Sequence, residues 1–289
     1  MKKLLILFIC NLFCFNQSNA LPKPGPSART VITKMLAAIA AHKGYSYTMT
    51  GYERNIGLET TKKVGIDVKV INNPSKIYVK LTIGNRKDTE ILYCKGERDG
   101  NALVNAGRFL PNLTLDPLGT ILTEGQRHTI FATGFGVPSQ IIGSLVKTAD
   151  NAKKFDAYFS APTTVVHNGR NCYKITISNI NWNYTTYIAD RGENAYSIAQ
   201  KLLIPEASIL ELNEFIKTIE DDLGGKTLRI QIGYAKKSIF YIDKETYLPI
   251  LQEMSDDGGV FEHYEFSNIV INPAFKTDEF SENFPDYKF

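Results

Sequence analysis

The chain has 289 residues, of which 43% are apolar and 22% are charged, and its formal net charge at pH 7 is +3. This composition is that of an ordinary globular protein, and the length is sufficient for one large domain and a small one. A charge so close to zero gives no electrostatic basis for binding nucleic acid or an anionic membrane. Both classes of partner are therefore excluded from the hypotheses below.

Residues 1–20 have the pattern of an export signal. Lys2 and Lys3 precede an apolar run from Leu4 to Phe15, and Ser18-Asn19-Ala20 has the small side chains of a cleavage site. No later segment offers the roughly 20 apolar residues that a helical membrane span needs. We therefore predict an exported protein, periplasmic in a Gram-negative bacterium, with no transmembrane segment in the mature chain.

After the signal, the pattern predicts a helix followed by an antiparallel meander. Ser27 is a suitable N-cap for a helix that runs to about Lys43 and has apolar side chains on one face. Segments of strand composition then alternate with turn-forming residues. These segments are Tyr45 to Arg54, Lys63 to Ile71, Lys76 to Ile83 and Glu90 to Lys95. One face of such a sheet is expected to bury its apolar side chains under the helix.

The middle of the chain is less regular, and strands return after it. We predict a strand and loop from Leu103 to Leu115, a helical turn from Leu118 to Leu122 and a helical region from Val137 to Lys154. Asn168-Gly169 is the strongest hairpin signal in the chain. It joins predicted strands at Asp156 to His167 and Asn171 to Ile180. Further strands are predicted at Lys237 to Asp243, Tyr247 to Met254 and Val260 to Ile271.

Residues 184–233 interrupt these strands with a different order, which is strand, helix, helix, strand. The informative motifs are Tyr187-Ile188, Gly192-Glu193-Asn194, Ser197-Ile198-Ala199, Leu212-Asn213, and Gly225 with Leu228 and Ile230. In this order they resemble the LysM domain, a module that binds the N-acetylglucosamine-containing glycan of peptidoglycan or chitin. The resemblance implies that peptidoglycan or a related glycan is a partner.

The LysM resemblance also implies a sugar groove between the loop after the first strand and the loop after the second helix. The residues of these loops are Arg191, Gly192, Glu193, Asn194, Ala195, Asn213, Glu214, Phe215 and Ile216. Backbone amides, short polar side chains and an apolar contact suit an uncharged polysaccharide. The alternative is that Asn194 and Asn213 only cap helices and that Phe215 only packs inward.

The strands on either side of this insertion carry a second set of motifs. They are Ile77 to Leu81, Glu90 to Tyr93, Gly125 to Ile130, Phe240 to Asp243 before Leu248-Pro249, and Phe280 to Tyr287. These motifs resemble a family of exported bacterial proteins of unknown function whose fold is similar to that of the lipoprotein carriers LolA and LolB. The resemblance implies an α+β fold: a curved antiparallel sheet, or open half-barrel, with helices over its concave face.

This second resemblance implies that the half-barrel comprises residues 21–183 and 234–289, with the LysM-like insertion at 184–233. In the carriers the concave face holds the acyl chains of a lipoprotein. A lipid, a lipoprotein or a protein is therefore the expected ligand of this half-barrel. The alternative is that the concave face is only the core beneath the first helix.

Few side chains suggest chemistry. Arg127-His128 either holds an anionic head group or caps a nearby helix. Cys94 and Cys172 either form a disulfide or remain two buried thiols. The sequence contains no HExxH, no paired-cysteine metal motif, no G-x-S-x-G and no Walker loop. We predict no catalytic site, no metal site and no cofactor.

Taken together, the patterns predict a noncatalytic cell-envelope protein. It is expected to bind peptidoglycan through the LysM-like module and a lipid, lipoprotein or protein partner through the half-barrel. Two alternatives stay open. One is a cell-wall hydrolase whose active site has no recognised signature. The other is a LysM-like module that serves only as a structural insertion.

Overall fold

The computed structural model describes residues 25–107 and 110–289, so the predicted export signal lies outside the described residues. The helices of the described part are α1 (Ala28–Ala41), α2 (Thr120–Thr123), α3 (Gly136–Asn151), α4 (Phe155–Tyr158), α5 (Ala195–Leu202) and α6 (Glu206–Leu212). The strands before residue 200 are β1 (Gly44–Arg54), β2 (Thr61–Ile71), β3 (Lys76–Leu81), β4 (Glu90–Cys94), β5 (Ala102–Asn105), β6 (Leu113–Leu115), β7 (Thr163–His167), β8 (Arg170–Ser178) and β9 (Tyr184–Ile188). The later strands are β10 (Thr227–Gln231), β11 (Lys237–Asp243), β12 (Pro249–Asp256) and β13 (Gly259–Ile271).

Eleven of the described strands form one antiparallel sheet in the order β6-β5-β4-β3-β2-β1-β13-β12-β11-β8-β7. The first and last strands of the chain, β1 and β13, are neighbours at its centre. Side chains alternate between the two faces, so Ile77 and Val79 enter the main core whereas Tyr78 lies on the opposite face. This large, curved antiparallel sheet with a few helices is the predicted fold class.

The concave face is covered in part by α1. Ser27 is its N-cap and accepts a hydrogen bond from the Thr30 amide. Its apolar stripe, which includes Ile32 and Met35, is buried in the main core. The neighbouring α3 is tied to it by an ion pair between Arg29 and Asp150, 2.6 Å apart. The two helices therefore lie side by side over the same face.

The C-terminal segment covers the opposite, convex face of strands β3 to β5. Tyr287 stacks on Tyr78 with ring centroids 3.9 Å apart. Phe280 packs with Leu92 and Leu103 in a second, smaller core. Strands β3 to β5 are consequently covered on both faces, which agrees with the continuous burial of β4.

The hairpin signal is confirmed and one neighbouring prediction is wrong. Asn168 and Gly169 have φ values of 48° and 77°, as a two-residue type I′ turn requires. By contrast, the strand predicted from Asp156 begins only at Thr163, because Phe155 to Tyr158 form the short helix α4. Phe155 and Phe159 are four residues apart and stack at 4.4 Å, a contact that helical geometry permits and an extended strand does not.

Residues 184–231 form a separate βααβ unit. Its strands β9 and β10 pair with each other in a two-stranded sheet. Ile198 of α5, Ile209 of α6 and Leu228 of β10 meet in a core of its own. The order of the elements is the predicted one; by itself it does not show a LysM domain.

The disulfide alternative for the cysteines is wrong. Cys94 and Cys172 are both free and buried. Cys94 lies in β4 and Cys172 in β8, and six strands separate these two in the sheet. Neighbouring strands are about 4.8 Å apart, whereas the Cα atoms of a disulfide lie within about 7 Å. The thiols are therefore too far apart along the sheet to be joined.

We expect the protein from Leu21 to Phe289 to react slowly with iodoacetamide when native, because burial shields both thiols and raises the pKa of Cys94 and of Cys172. Unfolding in urea without a reducing agent should expose both, so the intact mass should increase by two carbamidomethyl groups. An unfolded sample that takes up label only after reduction would restore the disulfide.

A candidate ligand cavity on the concave face

A cavity of about 860 Å³ lies between the concave face and α3. No residue of α1, which is described in full, lines it. The apolar side chains of its walls include Val64, Ile66, Val79, Leu81, Ile91 and Met254. The concave face is thus partly core, under α1, and partly the wall of an open space. The alternative that this face is only the core beneath the first helix is therefore wrong for the part of the sheet that lines the cavity.

Helix α3 supplies the opposite wall through one stripe of its surface. Val137, Ile141 and Leu145 follow each other at four-residue spacing and all line the cavity. On the adjoining face, Ile142 and Ala149 are buried in the main core. The helix is therefore anchored along one side while its other apolar side faces empty space.

The cavity becomes polar at one end because of the strand register. One row across β12, β13, β1 and β2 places Met254, Glu262, Glu53 and Lys62 side by side. The adjacent row across β11, β12 and β13 places Phe240, Gln252 and Tyr264 side by side. All of these residues line the cavity. Two carboxylates thus face each other directly on neighbouring strands of its floor.

Each carboxylate has its own donors. Glu262 is only 1% exposed, and its Oε1 atom lies 3.0 Å from His128 Nε2 and 3.5 Å from Arg127 Nε. The Tyr234 hydroxyl also donates to Glu262, at 3.0 Å. Glu53 accepts from the Tyr264 hydroxyl at 2.8 Å and lies 3.2 Å from Lys62 Nζ. Each carboxylate thus has a cationic partner that replaces part of the hydration it loses on burial.

The pKa values of the His128–Glu262 pair shift in the directions expected for an ion pair. Burial lowers the pKa of His128, but the Glu262 carboxylate outweighs this and raises the pKa to about 9. Burial raises the pKa of Glu262, but His128 and Arg127 together bring it below its ordinary value. Both groups are therefore charged at neutral pH.

The same network joins the half-barrel to the βααβ unit. Arg127 donates to Glu211 of α6 at 2.8 Å and to the carbonyl of Arg54 in β1 at 3.2 Å. Arg54 in turn is paired with Asp256. Glu206, also on α6, is buried, and this burial raises its pKa. The polar end of the cavity is thus built from both parts of the chain.

The roles predicted for Arg127-His128 require correction. Arg127 is 2% exposed, and its guanidinium contacts Glu211, Glu262 and a backbone carbonyl. His128 lines the cavity but is already paired with Glu262. Neither side chain is available as a free cation for an anionic head group. Their contacts are with carboxylates and a strand carbonyl rather than with a helix end, so the capping alternative does not describe them either.

The predicted glycan residues have varied roles in the βααβ unit. Asn194 is the N-cap of α5 and forms a capping box with Ser197. Glu193 accepts hydrogen bonds from the Tyr187 hydroxyl and the Asp190 amide, and it is paired with Lys201. The first loop is therefore ordered by its own polar side chains.

Asn213 is 6% exposed and links α6 to β10. Its amide donates to the carbonyls of Ile209 and Arg229 and accepts from the Arg229 amide, at 2.8 to 2.9 Å. This side chain has no free group to offer a sugar. Ala195 and Ile216 are likewise buried, whereas Arg191, Gly192 and Glu214 are exposed.

Phe215 does not pack inward, as one alternative supposed, but is 51% exposed. Lys226 Nζ lies 5.5 Å from its ring centroid.

Several residues of the cavity's polar end were not singled out from the sequence, namely Glu53, Tyr234, Gln252, Glu262 and Tyr264. A signal for them exists. Gln252 is in phase with Ile250 and Met254 on β12, and Glu262 is in phase with Tyr264 and Phe266 on β13. A polar residue in phase with the apolar side of a strand marks a buried polar position.

Within residues 25–107 and 110–289, no three His, Cys, Asp or Glu side chains are grouped so that they could hold a metal ion. In the same part of the chain, no helix combines the length and apolar character needed to cross a membrane.

The sheet and cavity define a half-barrel protein with an internal, largely apolar space. The model of the family described as protein of unknown function DUF1571 matches residues 42–199. The chain belongs to this family. No curated protein matches it in sequence.

Three solved structures are among those similar to this chain. The lipoprotein LppX from Mycobacterium tuberculosis is 14% identical, with 87% of this chain and 98% of that one covered and a TM-score of 0.40. LprF from Mycobacterium bovis is 12% identical, with coverage of 86% and 94% and a TM-score of 0.38. A LolA superfamily protein from Nitrosomonas europaea is 7% identical, with coverage of 89% and 99% and a TM-score of 0.32.

We expect the His128–Glu262 pair to make stability depend on pH. The pKa of His128 is about 9 in the folded protein, above its ordinary value of 6.5. Its stabilising effect is therefore complete below pH 6.5 and disappears as the pH rises through 9. The free energy of unfolding of the unaltered protein, relative to that of His128→Gln, should fall by up to about 3 kcal/mol over this range.

Urea unfolding at pH 6.5, 8 and 9.5 measures this difference. His167→Gln, a change at the far edge of the sheet, serves as the control. A difference between the protein and His128→Gln that stays constant with pH would show that the histidine is not charged in the folded state.

Proposed function

We propose that this protein binds an acyl chain of a lipid or lipoprotein in the concave cavity and acts as a noncatalytic carrier in the cell envelope. The observation that carries this proposal is the apolar cavity of about 860 Å³ between the sheet and α3. Ligand cavities in proteins span about 300–1,000 Å³, so this one has the size of a functional site. A space of this size exceeds what a packed interior ordinarily leaves empty.

The chemistry of the walls selects the ligand class. Each methylene transferred from water into such a space contributes about 0.8 kcal/mol, so a chain of sixteen carbons gains on the order of 10 kcal/mol before the cost of ordering it. The half-exposed apolar residues of α3, among them Val137, Ile141 and Leu145, would be covered by the chain. Because the paired charges lie at one end of the cavity, the acyl tail of the ligand is expected in the apolar part.

We expect Leu145→Asp to weaken binding of a lipid chain by at least about tenfold, because it places an unpaired carboxylate against the tail. The measurement is fluorescence titration with the neutral apolar probe N-phenyl-1-naphthylamine, followed by displacement with a lipid ester. Lys147→Asp is the matched control, since Lys147 lies on the same helix and is exposed.

Equal affinities for Leu145→Asp and Lys147→Asp would place the ligand outside this cavity. Failure of the unaltered protein to bind any apolar probe or lipid would contradict the proposal as a whole.

A second candidate function is glycan binding by the βααβ unit. The observation that favours it is the exposed ring of Phe215 in the loop after α6, where an apolar contact for a sugar ring is expected. Arg191 and Gly192 in the other loop are exposed as well. Asn213 does not contribute to this candidate, because its amide is fully used inside the unit.

If the unit binds glycan, the protein from Leu21 to Phe289 should sediment with purified peptidoglycan sacculi, and Phe215→Ala should reduce the bound fraction severalfold. Val166→Ala is the control, because Val166 is also an exposed apolar residue and lies on the edge strand β7 of the half-barrel. Sedimentation without release of soluble muropeptides would separate binding from hydrolysis. A protein that stays in the supernatant would leave the unit as a structural insertion.

A further inference from the structure

The side-chain nitrogen of Gln252 is a buried donor without an acceptor in the part of the chain that the structure describes. It lies in β12 and is 3% exposed, and it lines the cavity. Its neighbours in the same row of the sheet are aromatic: Phe240 on one side and Tyr264 on the other. The Tyr264 hydroxyl is directed to Glu53. Among the described residues, no atom accepts a hydrogen bond from Gln252 Nε2.

Such an amide is unfavourable in a protein that binds only hydrocarbon. A buried donor left without an acceptor destabilises a fold, whereas an apolar residue of similar size at this position would not. The neighbouring Met254 shows that the strand accommodates an unbranched apolar side chain on this face. The unmet donor is therefore suited to a ligand that brings an acceptor to this point of the cavity.

The charges around Gln252 restrict that acceptor further. Glu262 and Glu53 face each other next to it, and each is already paired, with His128 and Lys62 respectively. A ligand carboxylate at this point would be a third anion beside Glu262 and Glu53, and removing it from water would be costly. The oxygen of an uncharged carbonyl can accept the hydrogen bond from Gln252 Nε2 without this cost of removing a charge from water.

We propose that the cavity is specific for uncharged acyl esters or amides over free fatty acids, and that Gln252 donates a hydrogen bond to the ligand's carbonyl oxygen. This inference rests on the proposed function, since it assumes that an acyl chain occupies the apolar part of the cavity. The tail lies along α3, and the ester lies over β12, between Phe240 and Tyr264.

Three ligands of nearly equal length test this. They are methyl laurate, laurate and tridecane, which share an apolar tail and differ only in having an uncharged carbonyl, a charged one or none. Each displaces N-phenyl-1-naphthylamine at pH 7.5 from protein first freed of lipid on a hydrophobic resin. With one more hydrogen bond in a buried site, methyl laurate should bind about tenfold more tightly than tridecane. Laurate should bind more weakly than its ester.

Gln252→Leu is the decisive variant, and Ser255→Ala is its control, because Ser255 lies on the same strand but does not line the cavity. In Gln252→Leu the advantage of the ester over tridecane should fall to less than about twofold, while Ser255→Ala should retain it. The ligand-free Gln252→Leu protein should melt no lower than the unaltered protein, because an unpaired amide is removed. A structural role for Gln252 would instead lower its melting temperature.

The two proposals fail in different ways. If the probe binds and all three ligands displace it equally, the specificity is overturned while lipid binding stands. If laurate binds as tightly as its ester, or if Gln252→Leu keeps the ester's advantage, the role of Gln252 is overturned. If neither the probe nor any of the ligands binds, the carrier function itself is contradicted.

Discussion

The organisation of this protein depends on how little of a large sheet its helices cover. Eleven strands at about 4.8 Å spacing make a sheet whose arc is roughly 50 Å, while a helix with its side chains is about 10 Å wide. Among the helices of residues 25–107 and 110–289, only α1 and α3 lie over the concave face as long helices, and together they span less than half of that arc. Because the sheet is curved, the strands that the helices do not cover bend around α1 and α3. An internal space lined by apolar side chains follows from this geometry.

The position of the space is set by the unequal burial of α3. One face of this helix is held in the core through Ile142 and Ala149, and the adjoining face lines the cavity through Ile141 and Leu145. If α3 moved inward to fill the cavity, Ile142 and Ala149 would lose the core contacts that anchor the helix. A packed core and a cavity can therefore exist on the same sheet, because one face of α3 covers the core and the adjoining face forms a wall of the cavity.

The sequence predicts the parts of this structure that depend on neighbouring residues. The N-cap at Ser27 and the turn at Asn168-Gly169 are set by local backbone preferences. The alternation of Ile77, Tyr78 and Val79 is likewise enough to assign the two faces of β3. Such features need no knowledge of what lies across the sheet.

The cavity's polar end could not be predicted in the same way. Glu53 and Glu262 face each other only because β1 and β13 pair in one particular register, and 209 positions separate them in the chain. Taken singly, each looks like an ordinary polar residue of a strand. The partners of Arg127 are equally distant: Glu211 lies on α6 of the inserted unit and Glu262 on β13. The pair Arg127-His128 can be recognised in the sequence, but the carboxylates that are paired with these side chains cannot.

The βααβ unit is attached to the half-barrel through contacts of both of its connecting segments. The two chain segments that enter and leave it are joined by a hydrogen bond from the Asn179 amide to the carbonyl of Ile232, at 2.7 Å. Both segments also bind Asp257 in the turn between β12 and β13, through Trp182 and Tyr184 on one side and Lys236 on the other. Lys236, followed by Trp182, lowers the pKa of Asp257 to about 2, so this carboxylate is charged throughout the physiological range.

The attachment of this unit has a consequence for the ligand. Leu202 and Leu203, at the end of α5, reach the cavity, as does Tyr234 just after the unit. Buried ion pairs such as Arg127–Glu211 add little net stability, since desolvation offsets their attraction, but they permit one arrangement of charges and disfavour others. The network therefore sets the orientation in which α6 meets the half-barrel. On the proposed function, an acyl chain in the apolar part of the cavity and a carbonyl at Gln252 would meet surfaces that this network holds in one arrangement, so little ordering of the protein would be needed when the ligand binds.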